Sequence, residues 1–129
     1  MFFGTENFNQ ALNNWNVSNV TSMYMMFRDA SSINQPLDNW NVSNVSSMYS
    51  MFWNATLFNQ DISRWCVEQI TTEPFMFSTG SALQDNFKPK WGNECTLSNT
   101  IPDAVHIALY PNCLYKLSRR IYYRKLDCI

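Results

Sequence analysis

The sequence predicts an α/β solenoid of 25-residue rungs, each a short helix plus a short strand stacked in parallel, with a C-terminal cap. Three observations predict it. Trp15-Asn16-Val17-Ser18-Asn19-Val20-Thr21-Ser22-Met23 returns as Trp40-Asn41-Val42-Ser43-Asn44-Val45-Ser46-Ser47-Met48, and a degraded copy begins at Trp65-Cys66-Val67. The spacing is constant, since 40 − 15 and 65 − 40 both equal 25. Apolar places also recur in phase: Met1-Phe2, Met26-Phe27, Met51-Phe52 and Met76-Phe77, with Leu12, Leu37, Ile62 and Phe87 further along. One rung cannot bury its own apolar face, so copies at such a period stack into one continuous core.

Within a rung, Met23, Met26, Phe27 and Ala30 are spaced i, i+3, i+4, i+7, which predicts one face of a two-turn helix. Thr21 or Ser22 stands where an N-cap belongs, as do Ser46 and Ser47 in the next copy. Trp15 and Val17 alternate with Asn16 and Ser18, the period of a strand with one buried face. The repeated pairs Asn9-Gln10, Asn34-Gln35 and Asn59-Gln60 read either as a polar ladder satisfying turn backbone or as the lining of a groove. Strict recurrence favours the ladder, which must be renewed in every rung. Asn-x-Ser/Thr triplets begin at Asn16, Asn19, Asn41, Asn44 and Asn54. They read as turn and cap chemistry or as glycan acceptors.

The chain divides into repeats 1–25, 26–50 and 51–75, a capping unit 76–95, and a non-repeat basic tail 96–129. At the end of the third repeat Glu73-Pro74 interrupts the next helix start, and in the cap Lys88-Pro89-Lys90-Trp91-Gly92 leads to Cys95. A Cys66–Cys95 disulfide would fasten this cap to the third rung; the alternative is two free thiols. Cys113 and Cys128 have no pairing that the sequence selects. In the tail, Leu114, Leu117 and Ile121 are spaced as a helix stripe among basic residues, but a poorly ordered segment is the favoured reading. Contact with an anionic membrane surface is expected only through this tail. Met1-Phe2 is in phase with the internal Met-Phe pairs, so Met1 is expected to be an internal methionine of a longer repeat array. The bare first rung is expected to associate end to end or to meet further repeats.

Composition excludes several classes. Residues 1–75 hold two Arg against six carboxylates, a balance of −4, and residues 76–129 hold seven Lys/Arg against four, a balance of +3. A near-neutral repeat body offers nothing to nucleic acid. One histidine and no Cys-x-x-Cys pair give no metal site, and no cofactor motif appears. His106 lies in an apolar run without a partner, and no carboxylate pair recurs, so no catalytic residue and no enzyme is expected.

The pattern Met-Phe-x-x-Ala-x-x-Phe-Asn-Gln-x-Leu-x-x-Trp-Asn-Val-Ser-Asn-Val-Thr-x-Met resembles the BspA-like family of leucine-rich-repeat surface proteins, in the 25-residue class found in bacterial surface proteins and mycoplasma lipoproteins. The resemblance covers residues 1–75, and the segment from Trp65 to Cys95 looks like that family's closing unit. It implies a leucine-rich-repeat-like solenoid, secreted or held at the cell surface, acting in adhesion to an extracellular protein or glycan. A purely structural stalk segment is the competing reading. The chain departs from the pattern in lacking a signal peptide, a lipobox and a cell-wall anchor, and in its tail. On a binding module, specificity falls to places that vary between rungs: Phe3, Arg28 and Trp53 at one, Ala11, Pro36 and Asp61 at another. Tyr24 and Tyr49 add an aromatic rung to the candidate ligand face.

Overall fold

The structure, a computed structural model, describes residues 1–95 and the backbone pairing of two short strands beyond them. It divides into two compact units, Met1–Asn93 and Glu94–Ile129. In the first, successive repeats lie against one another, hydrogen-bonded by their main chains. Phe2 and Gly4 N–H groups donate to the carbonyls of Met26 and Arg28, both at 2.8 Å. Met25, Phe27 and Asp29 donate in turn to Tyr49, Met51 and Trp53 at 2.8–2.9 Å. Phe52 and Asn54 then donate to Phe77 and Thr79.

The rungs contain neither the helix nor the strand that the spacing predicted, and the α/β assignment is corrected on that ground. The segment 23–30 is a run of tight turns. Its N–H groups alternate: Met26, Arg28 and Ala30 donate three residues back, to Met23, Met25 and Phe27, while Met25, Phe27 and Asp29 donate to the next rung. Met25 (φ 52°) and Asp29 (φ 58°) are left-handed, as are Ser50 (φ 51°) and Asn54 (φ 56°) one rung on. A right-handed helix cannot run through left-handed residues, so half of the donors are turned outward to the neighbouring rung. Thr21 and Ser22 therefore cap no helix. The Thr21 carbonyl accepts from Ser46 N–H at 2.8 Å, and Ser22 Oγ accepts from Tyr24 N–H at 3.4 Å.

The expected strand at Trp15–Ser18 is also a turn. Asn16 Oδ1 accepts from Ser18 N–H (3.1 Å) and Ser18 Oγ (2.6 Å), and Asn41 and Ser43 repeat this geometry. A side-chain amide that holds the backbone two residues on bends the chain away from an extended path. Among the described residues of this unit, strand pairing is limited to one isolated parallel bridge, Ser22 with Ser47.

The core is built from the repeated apolar places. Leu12, Leu37 and Ile62 are buried, as are Val17, Val42 and Val67, and Phe27, Phe52 and Phe77. Phe2, Phe27 and Phe52 stack in file at 5.4 and 5.5 Å between ring centroids, and Phe77 meets Phe52 edge-on at 5.5 Å. Trp40 and Trp65 stack at 6.3 Å, and each indole N–H donates to a leucine carbonyl of the rung before it: Trp40 to Leu12 (2.8 Å), Trp65 to Leu37 (2.9 Å). Trp15, with no preceding rung in this chain, is 45% exposed, against 3% and 4% for Trp40 and Trp65.

A polar ladder runs beside this core. Asn9 Oδ1 accepts from Asn34 N–H, and Asn34 Oδ1 from Asn59 N–H, both at 3.0 Å. Gln35 and Gln60 each add an Nε2 bond to the same asparagine (3.0 and 2.9 Å). Asn59 Oδ1 then accepts from Gln84 N–H at 3.3 Å. The asparagines thus satisfy backbone of the rung above.

The fourth rung slips by one residue. The left-handed places filled by Met25 and Ser50 pass to Met76 (φ 52°), and those filled by Gly4, Asp29 and Asn54 pass to Gly80 (φ 77°). Met76-Phe77, in phase with Met26-Phe27 by sequence, is therefore one place out of phase in space. Gln84 meeting Asn59 shows the register restored. A 3-10 turn at Asp85–Phe87 follows, and Trp91 packs edge-on against Phe77 at 4.9 Å. Lys88 Nζ donates to Glu73 (2.9 Å) and Asp85 (3.1 Å). Gly92 (φ 68°) donates to the Val67 carbonyl, where a Cβ would stand 3.0 Å from Thr71 Cα. Cys66 and Cys95 are disulfide-bonded.

In the second unit, β1 (Lys116–Leu117) and β2 (Tyr122–Tyr123) pair antiparallel, Lys116 opposite Tyr123 and Leu117 opposite Tyr122. Leu117 thus lies in a strand, not in the helix that is one reading of its spacing with Leu114 and Ile121, which lie outside the described residues. His106, Cys113 and Cys128 lie outside the described residues.

Candidate functional site

The turn run 24–29 recurs in each rung, so residues at its solvent side form rows along the stack. Tyr24 and Tyr49 stack at 5.3 Å with their planes 17° apart, and Phe75 continues the row from Tyr49 at 5.4 Å and 28°. These rings stand in water: Tyr24 is 53%, Tyr49 36% and Phe75 60% exposed. Phe75 belongs to the row because of the one-residue slip. The slip puts Phe75, not Pro74, in line with Tyr49, and counting by 25 misses it.

A second row comprises Phe3, Arg28 and Trp53. The Arg28 guanidinium carbon lies 3.9 Å from the Trp53 ring centroid and 5.3 Å from that of Phe3, so the cation is held between two aromatic side chains. Arg28 Nε donates to Asp29 Oδ2 at 3.2 Å, and a terminal nitrogen reaches Met25 Sδ at 3.4 Å. That last contact joins the Arg28 row to the methionine that follows Tyr24 in the chain. Of the varying places, then, the structure groups Phe3, Arg28 and Trp53 directly.

Asp61 makes its bonds with Ser63 in its own rung. It is exposed, and Ser63 engages its carboxylate, donating from the backbone N–H at 3.0 Å. The hydrogen bonds from Ser63, side chain first and then backbone, lower its pKa below the usual carboxylate value. Asp61 caps a turn. No helix among the described residues is long and apolar enough to cross a membrane.

Turn-built repeats joined by main-chain hydrogen bonds, with ladders of identical side chains inside and rows of varying ones outside, define a stacked-repeat protein. Residues 1–91 match the family described as "Mycoplasma protein of unknown function, DUF285", and the chain belongs to that family. No curated protein and no solved structure matches it.

Proposed function

We propose that this protein is a surface-displayed or secreted binding module that adheres to an extracellular protein or glycan through the side of the stack carrying Tyr24, Tyr49 and Phe75. One observation carries the reading: three aromatic rings stacked at 5.3 and 5.4 Å remain open to water while every equivalent Phe of the inner file is buried or half-buried. Exposed aromatic rows lower solubility and are unneeded for a core that is already continuous, and contiguous apolar surface of this kind marks interaction sites. Arg28 and Trp53 extend the same surface with the residue types that dominate binding hot spots. The disulfide at Cys66 and Cys95 supports an oxidising, extracellular setting.

The test is adhesion of the purified chain to immobilised extracellular-matrix proteins and to a glycan panel, beside Tyr49→Ala and Phe75→Ala. Loss of tenfold or more in binding, with the thermal midpoint little changed, supports the reading. Equal binding by both variants removes this face. Protease digestion of the protein on intact cells checks its display at the surface.

A further inference from the structure

The aromatic row also indicates which class of ligand it fits, an inference resting on the binding role proposed above. Sugars bind aromatic side chains by laying an apolar ring face on an aromatic face. In this row those faces are occupied by the row itself. Tyr49 is covered on both sides, by Tyr24 at 5.3 Å and Phe75 at 5.4 Å, so Tyr24 and Phe75 each keep only their outward face. Trp53, the largest flat surface nearby, carries the Arg28 guanidinium over its ring at 3.9 Å. Along its length the row therefore offers ring edges and the tyrosine hydroxyls, beside a methionine sulfur and a guanidinium, and open ring faces remain only at its two ends.

Ring edges carry partial positive charge and pack against carbonyl oxygens, carboxylates and the faces of other aromatic rings. Tyr, Phe, Trp, Met and Arg grouped together, without lysine or glutamate among them, match the core of a protein–protein interface in composition. The Arg28 charge is already met by Asp29 at 3.2 Å, so this cation is not held free for an anionic sugar. We infer that the Tyr24–Tyr49–Phe75 row, flanked by Arg28 and Trp53, docks a polypeptide rather than a glycan. The docked segment presents carbonyl oxygens or the faces of aromatic side chains to the ring edges and hydrogen-bond acceptors to the two phenol hydroxyls.

The experiment selects a displayed random-peptide library against the full chain and, in parallel, screens the full chain on a glycan panel. Selected peptides are resynthesised and their affinities measured for four forms: the parent, Tyr49→Ala, the double variant Tyr24→Phe/Tyr49→Phe, and Arg64→Ala as a control away from the row. The expected result is peptide binding weakened at least tenfold by Tyr49→Ala and about threefold or more by the double phenylalanine variant, with Arg64→Ala unchanged. The double variant keeps every ring in place, so its loss cannot come from unfolding. Glycan binding that depends on Tyr49, with no such peptide, overturns the inference while leaving the binding role intact. Peptides and glycans that all bind without regard to Tyr49, or that do not bind, overturn both.

Discussion

Trp40→Phe probes the stacking of rungs at one side chain. The Trp40 indole N–H donates at 2.8 Å to the Leu12 carbonyl of the preceding rung, and its ring stacks on Trp65 at 6.3 Å in a buried site. The Leu12 carbonyl also accepts from Trp15 N–H at 3.0 Å, so deleting the indole leaves it with one bond and not orphaned. The lost hydrogen bond is then worth about 1 kcal/mol. The smaller ring adds a cavity costing roughly 1–2 kcal/mol more. The sum, about 2–3 kcal/mol, corresponds to a fall in thermal midpoint on the order of 10–20 °C for a unit of this size. Trp15→Phe is the matched control: the same residue type at the same place in the repeat, but 45% exposed and without a preceding rung in this chain. It is expected to cost under about 1 kcal/mol, as ordinary for a surface exchange. Thermal and urea unfolding followed by circular dichroism measures both. Equal losses from the two variants would refute the claim that rung-to-rung bonding, rather than local packing, holds the tryptophan.

Asn34 acts as an acceptor for Asn59 N–H and Gln60 Nε2, so Asn34→Asp should remain close to the parent while Asn34→Ala loses about 1 kcal/mol in urea unfolding. If the aspartate variant falls as far as the alanine one, the acceptor role is wrong. Replacing Cys66 and Cys95 by serine opens a loop of 95 − 66 = 29 residues. Chain entropy puts that loss near 3.5 kcal/mol, to be read as a lower unfolding midpoint that reductant no longer shifts. For Lys88, burial is the largest single influence and pulls its pKa down. The hydrogen bonds that Lys88 Nζ donates to Glu73 and Asp85, together with the charges of those carboxylates, outweigh it and raise the pKa above the ordinary lysine value. A raised pKa stabilises the fold fully below the unfolded-state lysine pKa, and the contribution disappears as pH climbs through the folded-state value. The stability gap between the parent and Lys88→Gln should therefore narrow above about pH 10, the ordinary lysine range. A gap constant through that range would show that Lys88 titrates no differently when folded.

The period, the stacking and most of the core could be read from the sequence, because identical residues at a fixed interval must meet identical neighbours. Leu12, Val17, Phe27, Trp40 and most of their equivalents follow that logic and are buried, the exceptions standing at the ends of the stack, as Trp15 does at 45% exposed. Local conformation was misread. The spacing of Met23, Met26, Phe27 and Ala30 suits a helix face, but a run of turns puts the same residues inward. The decisive signal lay at another place in the repeat, where Gly4, Asp29, Asn54 and, after the slip, Gly80 succeed one another. Gly, Asp and Asn are the residues that tolerate a left-handed backbone, and their recurrence at one place announces a turn. The Asn-x-Ser triplets at Asn16 and Asn41 announced another. On the candidate face, Tyr24 and Tyr49 were visible by recurrence. Phe75 escapes a count by 25 because of the extra residue near Pro74, and Asp61 engages Ser63 in a turn.

The central claim is that alternate main-chain N–H groups of each turn run reach the next rung instead of closing a helix. Scalar couplings across hydrogen bonds, measured by NMR on isotope-labelled protein, test it directly. The structure predicts couplings from the Phe27 N–H to the Met51 carbonyl and from the Phe52 N–H to the Phe77 carbonyl, with bonds of 2.9 and 2.8 Å. A coupling from Phe27 to the carbonyl of Met23, four residues back, would restore the helix and contradict the stacked-turn architecture.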